Sequence, residues 1–205
     1  MSTSMRNFLD KGVEQMSWYD KLNQYFPVEE MKSKKHMEIL LAEKKEVYHK
    51  DESADHVLMY VEFDSFIFID YLWVSPKTRG QGLGHQLIEK LKKKNKPIIL
   101  EVEPVDYSDS DTEKRLRFYQ REEFAHAHTI GYTRRSLATG EENDLEILYW
   151  SPKNESEEEI FEQMKKIYQD IHTYKDEELY GEAYQPVDRV LTYDEESKRE
   201  NILKK

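Results

Sequence analysis

The stretch Val74-Ser75-Pro76-Lys77-Thr78-Arg79-Gly80-Gln81-Gly82-Leu83-Gly84 holds three of the chain's seven glycines. It follows the apolar run Ile67–Val74 and precedes the helical pattern His85–Lys94. A strand, a loop largely stripped of side chains and a helix N-terminus make a cradle for phosphate, because unshielded N–H groups face the anion and the positive end of the helix dipole adds to the attraction. Two common nucleotide loops are excluded. No Gly-Lys-Ser/Thr closes the run as a Walker loop requires, and the preceding strand belongs to a hairpin rather than to the parallel βαβ unit of a dinucleotide fold.

Outward from the loop, Val57–Phe63 and Phe66–Val74 are rich in β-branched and aromatic residues, with Asp64-Ser65 between them, and read as an antiparallel hairpin. Downstream, Leu87, Ile88 and Leu91 mark a helix whose basic end, Lys90–Lys96, suits the negative pole of its dipole before Pro97 stops it. A short strand at Ile98–Val102, an acidic loop at Glu103–Asp111 and a helix from Thr112 to Glu123 follow. His126–Arg135 and Asp144–Trp150 read as a last strand pair around Thr139-Gly140. Upstream, helices are expected over Arg6–Tyr25, broken by Pro27, and over Val28–Lys44. The spacing implies mixed α/β architecture.

The chain's 205 residues fit one domain with an appendage, and a domain of about 150 residues buries roughly 70% of its unfolded surface. Composition shifts at Ser151-Pro152, dividing residues 1–150 from an acidic extension, 151–205, of net charge −6. In that extension Ser156 reads as an N-cap, and Ile160, Met164, Ile167, Tyr168 and Ile171 recur at helical spacing. The stripe must pack on its own domain, on a second copy in a homodimer, or over a site as a lid. Beyond Gly181 an extended stretch is expected, and Asp194–Lys205 reads as a short helix or as disordered. With no cysteine, thiol chemistry and thiolate metal sites are excluded. Met1–Gln15 lacks an apolar core and no run is long enough to span a bilayer, so a soluble cytoplasmic protein without a membrane partner is expected. A net charge of −11 argues against nucleic acid and is compatible with a cationic substrate, or simply with a solvated surface.

The glycine stretch, followed by His85-Gln86-Leu87-Ile88, resembles the acetyl-CoA-binding motif of the GNAT N-acetyltransferases. Arg117-Phe118-Tyr119-Gln120-Arg121-Glu122-Glu123-Phe124 resembles that family's second signature, with Glu123 where the family has glycine. Leu100-Glu101-Val102 resembles the strand between them in the ribosomal-protein alanine acetyltransferase branch. The connection from that strand to the second signature is about six residues longer here, and the family's asparagine has no clear counterpart. The resemblance covers residues 28–150. It implies an α+β fold, a mixed and mostly antiparallel central sheet flanked by helices, to which a helical acidic C-terminal extension is added. It also implies acetyl-CoA as co-substrate, no metal, and a grip on the donor by Leu72, Trp73, Val74, Arg79, Gly80, Gln81, Gly82, Leu83 and Gly84.

Acetyl transfer from a thioester to an amine needs a proton acceptor, an oxyanion site and a proton for the thiolate. An amine near pKa 10.4 is mostly protonated at neutral pH, so a positioned base helps. By resemblance Glu101 is the first candidate, with Asp70 and Glu103 as rivals. Tyr119 falls where the family's tyrosine approaches the sulfur, as general acid, and the Val74 amide is the natural oxyanion donor. Arg79 can add a charge-assisted phosphate contact, with Lys77 and Lys92–Lys96 as helpers or as solvated lysines. His126 and His128 share a strand face but lack a third zinc ligand, and no Gly-x-Ser-x-Gly supports a serine nucleophile. The expected activity is direct acetyl transfer to a primary amine: a protein N-terminus, a lysine, a polyamine or another small amine. The alternative is an acyl-CoA-sensing or protein-interaction module.

Overall fold

The computed structural model describes residues 16–104, 110–136, 138–197 and 199–203. In chain order the elements are α1 (Trp18–Asn23), α2 (Lys34–Glu43), β1 (Tyr48–Glu52), β2 (His56–Glu62), β3 (Ile67–Val74), α3 (Leu83–Lys92) and β4 (Ile98–Val102). Then come α4 (Ser110–Arg121), β5 (Ala125–His126), β6 (Ile130–Arg135), β7 (Glu142–Trp150), α5 (Glu157–Ile167), a π-helical turn (Tyr168–His172), α6 (Asp176–Tyr180), α7 (Val187–Val190) and β8 (Leu191–Tyr193). The sheet runs β1-β2-β3-β4-β7-β6-β8, with β5 also pairing β7. Only β3 and β4 are parallel among the described pairs. This is the mixed, mostly antiparallel sheet that the glycine motif implied.

One apolar cluster joins α1, α2, α5 and the π-turn through Leu22, Met37, Leu40, Ile160, Met164, Ile167 and Ile171 to Phe66, Phe68 and Ile99 of the sheet. The other joins α3 and α4, through Leu87, Ile88, Leu91, Leu116 and Tyr119, to Ile67, Ile98 and Leu100. The helical stripe at Ile160, Met164, Ile167, Tyr168 and Ile171 is therefore buried against this chain's own sheet. Ser156 and Glu159 complete a capping box that starts α5. Farther on, β8 pairs β6, with Tyr132 opposite Leu191.

Several boundaries differ from the sequence reading. Where a helix was expected over Arg6–Tyr25, the Ser17 side chain accepts from the Asp20 N–H and starts α1 at Trp18; residues up to 15 lie outside the described ones. Ser33 likewise caps α2, so Val28–Lys32 form a turn instead of helix. The strand expected over His126–Arg135 breaks at residues 127–129, where the Ala127 N–H already bonds the Ile147 carbonyl. The stretch beyond Gly181 contains the short helix α7, and neither a helix nor a strand is assigned to the described residues after Tyr193. The acidic loop Glu103–Asp111 has residues 105–109 outside the described ones. Among the described residues no helix is long and apolar enough to cross a membrane.

Two irregularities in β3 shape what lies beside it. Pairing with β2 steps from Met59 opposite Tyr71 to Tyr60 opposite Ile69, leaving Asp70 as the extra residue of a bulge. The bulge inverts the strand's phase: Phe68 and Tyr71 fall in the same cluster although three residues apart, as do Ile69 and Leu72 in the other. On the opposite edge, parallel pairing with β4 ends at Ile69 and Leu100. Beyond that point the two strands part.

Candidate active site

A cavity of about 600 Å³ fills the space where β3 and β4 separate. Leu72 and Val74 line it from β3, and Arg79, Gly80, Gly82, Leu83 and Gly84 from the loop and the start of α3. Gly80 and Gly82 hold left-handed backbone, with φ of 79° and 84°, which side-chain-bearing residues adopt at a cost. Gly84 answers a different need: a Cβ there would lie 3.2 Å from the Phe118 ring, so its absence lets α3 and α4 approach. Arg79 stacks over Tyr25 at 4.7 Å, and its Nε donates to the Val74 carbonyl. Trp73 and Gln81 are not among the lining residues. Trp73 packs on the opposite cluster, near the Lys21 ammonium, and Gln81 donates to the Lys77 carbonyl.

Three of the basic helpers, Lys92, Lys94 and Lys96, are occupied elsewhere. Lys94 and Lys96 pair with Glu62 at 2.6 and 3.0 Å, and Lys92 pairs with Glu89. His126 and His128 diverge, bonding Glu146 and Glu157 respectively. Another grouping is unforeseen in the sequence: His85 and Glu89 on α3 and Glu122 beyond α4 bring ligand-capable atoms within 4.8 Å of one another, with His85 Nδ1 2.9 Å from Glu122.

Glu101, which also lines the cavity, is enclosed. Its Oε1 accepts from the Tyr132 hydroxyl at 2.8 Å and from His172 Nε2 at 2.7 Å, and Oε2 lies 3.6 Å from the Arg134 guanidinium. Burial alone would raise its pKa, but His172 and Arg134 outweigh burial and hold the carboxyl at about 2. Burial pushes the His172 pKa down while Glu101 pulls it up, and its Nδ1 has no hydrogen-bond partner among the described residues. Asp70, carried on the bulge, accepts from Lys32 Nζ and the Tyr48 hydroxyl, both at 2.6 Å.

Glu103, two residues beyond Glu101, faces a residue that the sequence did not single out. Glu30, in the turn between α1 and α2, lines the same cavity as Glu103 and lies 3.9 Å from Arg115 of α4. The turn is fastened by Tyr71, whose hydroxyl accepts from the Lys32 N–H and donates to the Glu30 carbonyl, both at 2.9 Å. Burial first, and then Glu103, push the Glu30 carboxyl up to about 9. Tyr119 lines the same cavity from α4; its own burial raises its pKa while Arg115 pulls it down. One cavity thus holds a glycine-lined phosphate cradle, a buried phenol and a carboxyl pair.

The profile of a family described as "Acetyltransferase (GNAT) domain" matches residues 36–126. The chain is 68% identical over 188 residues to a Bacillus subtilis (strain 168) protein named "Putative acetyltransferase YjbC", covering 92% of this chain and 98% of that one. A solved structure of a GNAT-family protein from Bacteroides thetaiotaomicron superposes with a TM-score of 0.54 at 23% identity, covering 80% of this chain and 90% of that one, which is a likeness of fold.

Proposed function

Because the chain belongs to the GNAT acetyltransferase family, we propose that it transfers the acetyl group of acetyl-CoA directly to a primary amine while both are bound. The observation that carries this reading is the parting of β3 from β4 beyond Ile69 and Leu100, beside a loop with two left-handed glycines. Backbone groups of Leu72–Val74 that β4 no longer pairs face the gap, where a thioester carbonyl can accept from the Val74 N–H as it becomes an oxyanion. The helix dipole of α3 and the amides at Gly80–Gly84 suit the pyrophosphate, with Arg79 as an added cation. No side chain of the loop needs to react.

Tyr119 is the proposed general acid for the departing thiolate. Burial raises the Tyr119 pKa, so the phenol is fully protonated at neutral pH and has a hydrogen to donate to the sulfur as negative charge develops there. Glu101, engaged by a histidine, a tyrosine and an arginine and held near 2, suits a positioning role: it anchors Tyr132, His172 and Arg134 around the acceptor end. Asp70 is similarly bound to Lys32. Of the three carboxylates weighed from the sequence, Glu103 is the one best placed to meet an incoming amine.

The test pairs binding with turnover. Acetyl-CoA is expected to raise the melting temperature, since a ligand that binds only the folded state stabilises it by mass action. A panel of amines and peptides, read by thiol release, should show one accepted class. Tyr119→Phe should slow that release about a hundredfold or more while leaving acetyl-CoA affinity within about twofold; equal rates in variant and parent would remove Tyr119 from the mechanism.

A further inference from the structure

The cluster of His85, Glu89 and Glu122 has no part in acetyl transfer as described above. His85 and Glu89 are four residues apart on α3 and so share one face of the helix. Glu122 meets that face from the end of α4, where its own N–H bonds the Phe118 carbonyl at 3.0 Å. Its side chain is nine-tenths buried, and both carboxylate oxygens approach a single atom, His85 Nδ1, at 2.9 and 3.2 Å. Among the described residues no lysine or arginine pairs with it, and Lys92, 3.3 Å from Glu89, is divided between Glu89 and Glu123. A buried carboxylate without a full cationic partner is costly. This one, with His85, lines the same cavity as the glycine loop. With a neutral imidazole the cluster therefore sets two negative charges beside a cradle suited to phosphate, an arrangement that a bound cation relieves.

We propose that His85, Glu89 and Glu122 bind a divalent transition ion of the zinc class, which ties the first turn of α3 to the end of α4 and strengthens the hold on the acetyl-CoA phosphates. The second half of this inference rests on the acetyl-CoA reading above; the metal site does not. One imidazole nitrogen and two carboxylates suit zinc, whereas magnesium and calcium take six or more ligands, mostly oxygen. Ligand atoms around a tetrahedral zinc stand roughly 3.3–3.5 Å apart. The His85–Glu122 pair is already close to that spacing. The three ligand atoms lie within 4.8 Å of one another, so Glu89, whose side chain is 40% exposed, has to draw in by at most about 1.5 Å. Three protein ligands leave one position for water or for a phosphate oxygen. The ion cancels both carboxylate charges on the cavity wall and so removes a repulsion on the pyrophosphate.

The experiment strips the full-length protein with a chelator and titrates it with zinc, cobalt(II), magnesium and calcium in turn. Zinc should bind one to one and raise the melting temperature, cobalt(II) should give visible absorption bands on binding, and millimolar magnesium or calcium should displace neither. Loss of an outer-shell partner alone costs about 10–100-fold in metal affinity, so His85→Gln, Glu89→Gln and Glu122→Gln should each weaken zinc by about a hundredfold or more. His128→Gln, which removes an exposed imidazole paired with Glu157, should leave the zinc affinity unchanged. The His85 and Glu89 side chains are exposed, so their variants should keep the parent's circular dichroism and separate lost binding from lost fold. No zinc bound at one equivalent, or parent and all three variants binding alike, would overturn the site. Acetyl-CoA should bind about fivefold or more tighter with zinc than without, and zinc should gain by the same factor from acetyl-CoA. Equal affinities would overturn the coupling. A chain that binds zinc but no acetyl-CoA in either condition would overturn the acetyl-CoA reading instead.

Discussion

Replacing Tyr71 with phenylalanine removes one oxygen atom and is expected to unfasten the turn that carries Glu30 and Lys32. That oxygen satisfies the Lys32 N–H and the Glu30 carbonyl, both at 2.9 Å, and the tyrosine is only 4% exposed, so bulk water does not replace it. A buried polar group left unsatisfied costs about 1–3 kcal/mol, which sets an upper range near 2–6 kcal/mol for two. The turn lies at the edge of the cavity and can relax, so about 2 kcal/mol is the expected loss. The ring itself is retained, and with it the contact to Phe26 at 5.3 Å, so hydrophobic burial is unchanged. For a chain of this size that loss lowers the melting midpoint by about 4–8 °C. In urea the midpoint should fall with the m-value unchanged, because the surface exposed on unfolding is the same. Kinetically, KM for the amine should rise while acetyl-CoA affinity holds, since the glycine loop is built from other elements. An unaltered midpoint, or weakened acetyl-CoA binding with normal amine KM, would refute the reasoning.

Two further outcomes concern stability. Glu123 holds left-handed backbone, φ 63°, where a side chain costs about 1–2 kcal/mol and glycine's extra freedom in the unfolded chain returns about 0.5–1, so Glu123→Gly should stabilise by about 0.5–1 kcal/mol. Its contact with Lys92 is long and exposed and offsets little, so a lower melting midpoint in that variant would contradict the account. Glu101 is held at about 2 against an ordinary value of 4.5; because the folded value is the lower one, its contribution is present above about pH 4.5 and lost as pH falls toward 2. The amount is about 3 kcal/mol, and Glu101→Gln should flatten that limb of a stability-against-pH profile; an unchanged acid limb would count against it.

What could be read from the sequence was what local chemistry demands. Glycines at left-handed positions, a proline that stops a helix and a capped, striped α5 each leave a signature within a few residues. The bulge at Asp70 leaves none, because an unbroken apolar run reads alike in either phase and only pairing with β2 reveals the extra residue. The polar strand Tyr48–Glu52 was equally hidden, since an edge strand need not be apolar. Glu30 is one of 42 acidic residues and acquires its character from Tyr71, Glu103 and Arg115, all more than forty positions away. The enclosure of Glu101 was hidden for the same reason: His172 is 71 residues distant in sequence.

The burial of α5 and the π-turn beneath the sheet separates the unit by which this chain is recognised from the unit that folds. The family profile spans residues 36–126, yet Ile160, Met164 and Ile171 share a cluster with Phe66, Phe68 and Ile99, and His172 bonds Glu101. A fragment cut to the recognisable part would bare an oily sheet face, lose β6, β7 and β8 so that β4 becomes an open edge, and leave Glu101 without Tyr132, Arg134 and His172. Its expected fate is aggregation, and an inactive fragment would say nothing about the chemistry of the intact site. Anyone grafting this glycine loop onto another scaffold must carry its distant floor along with it.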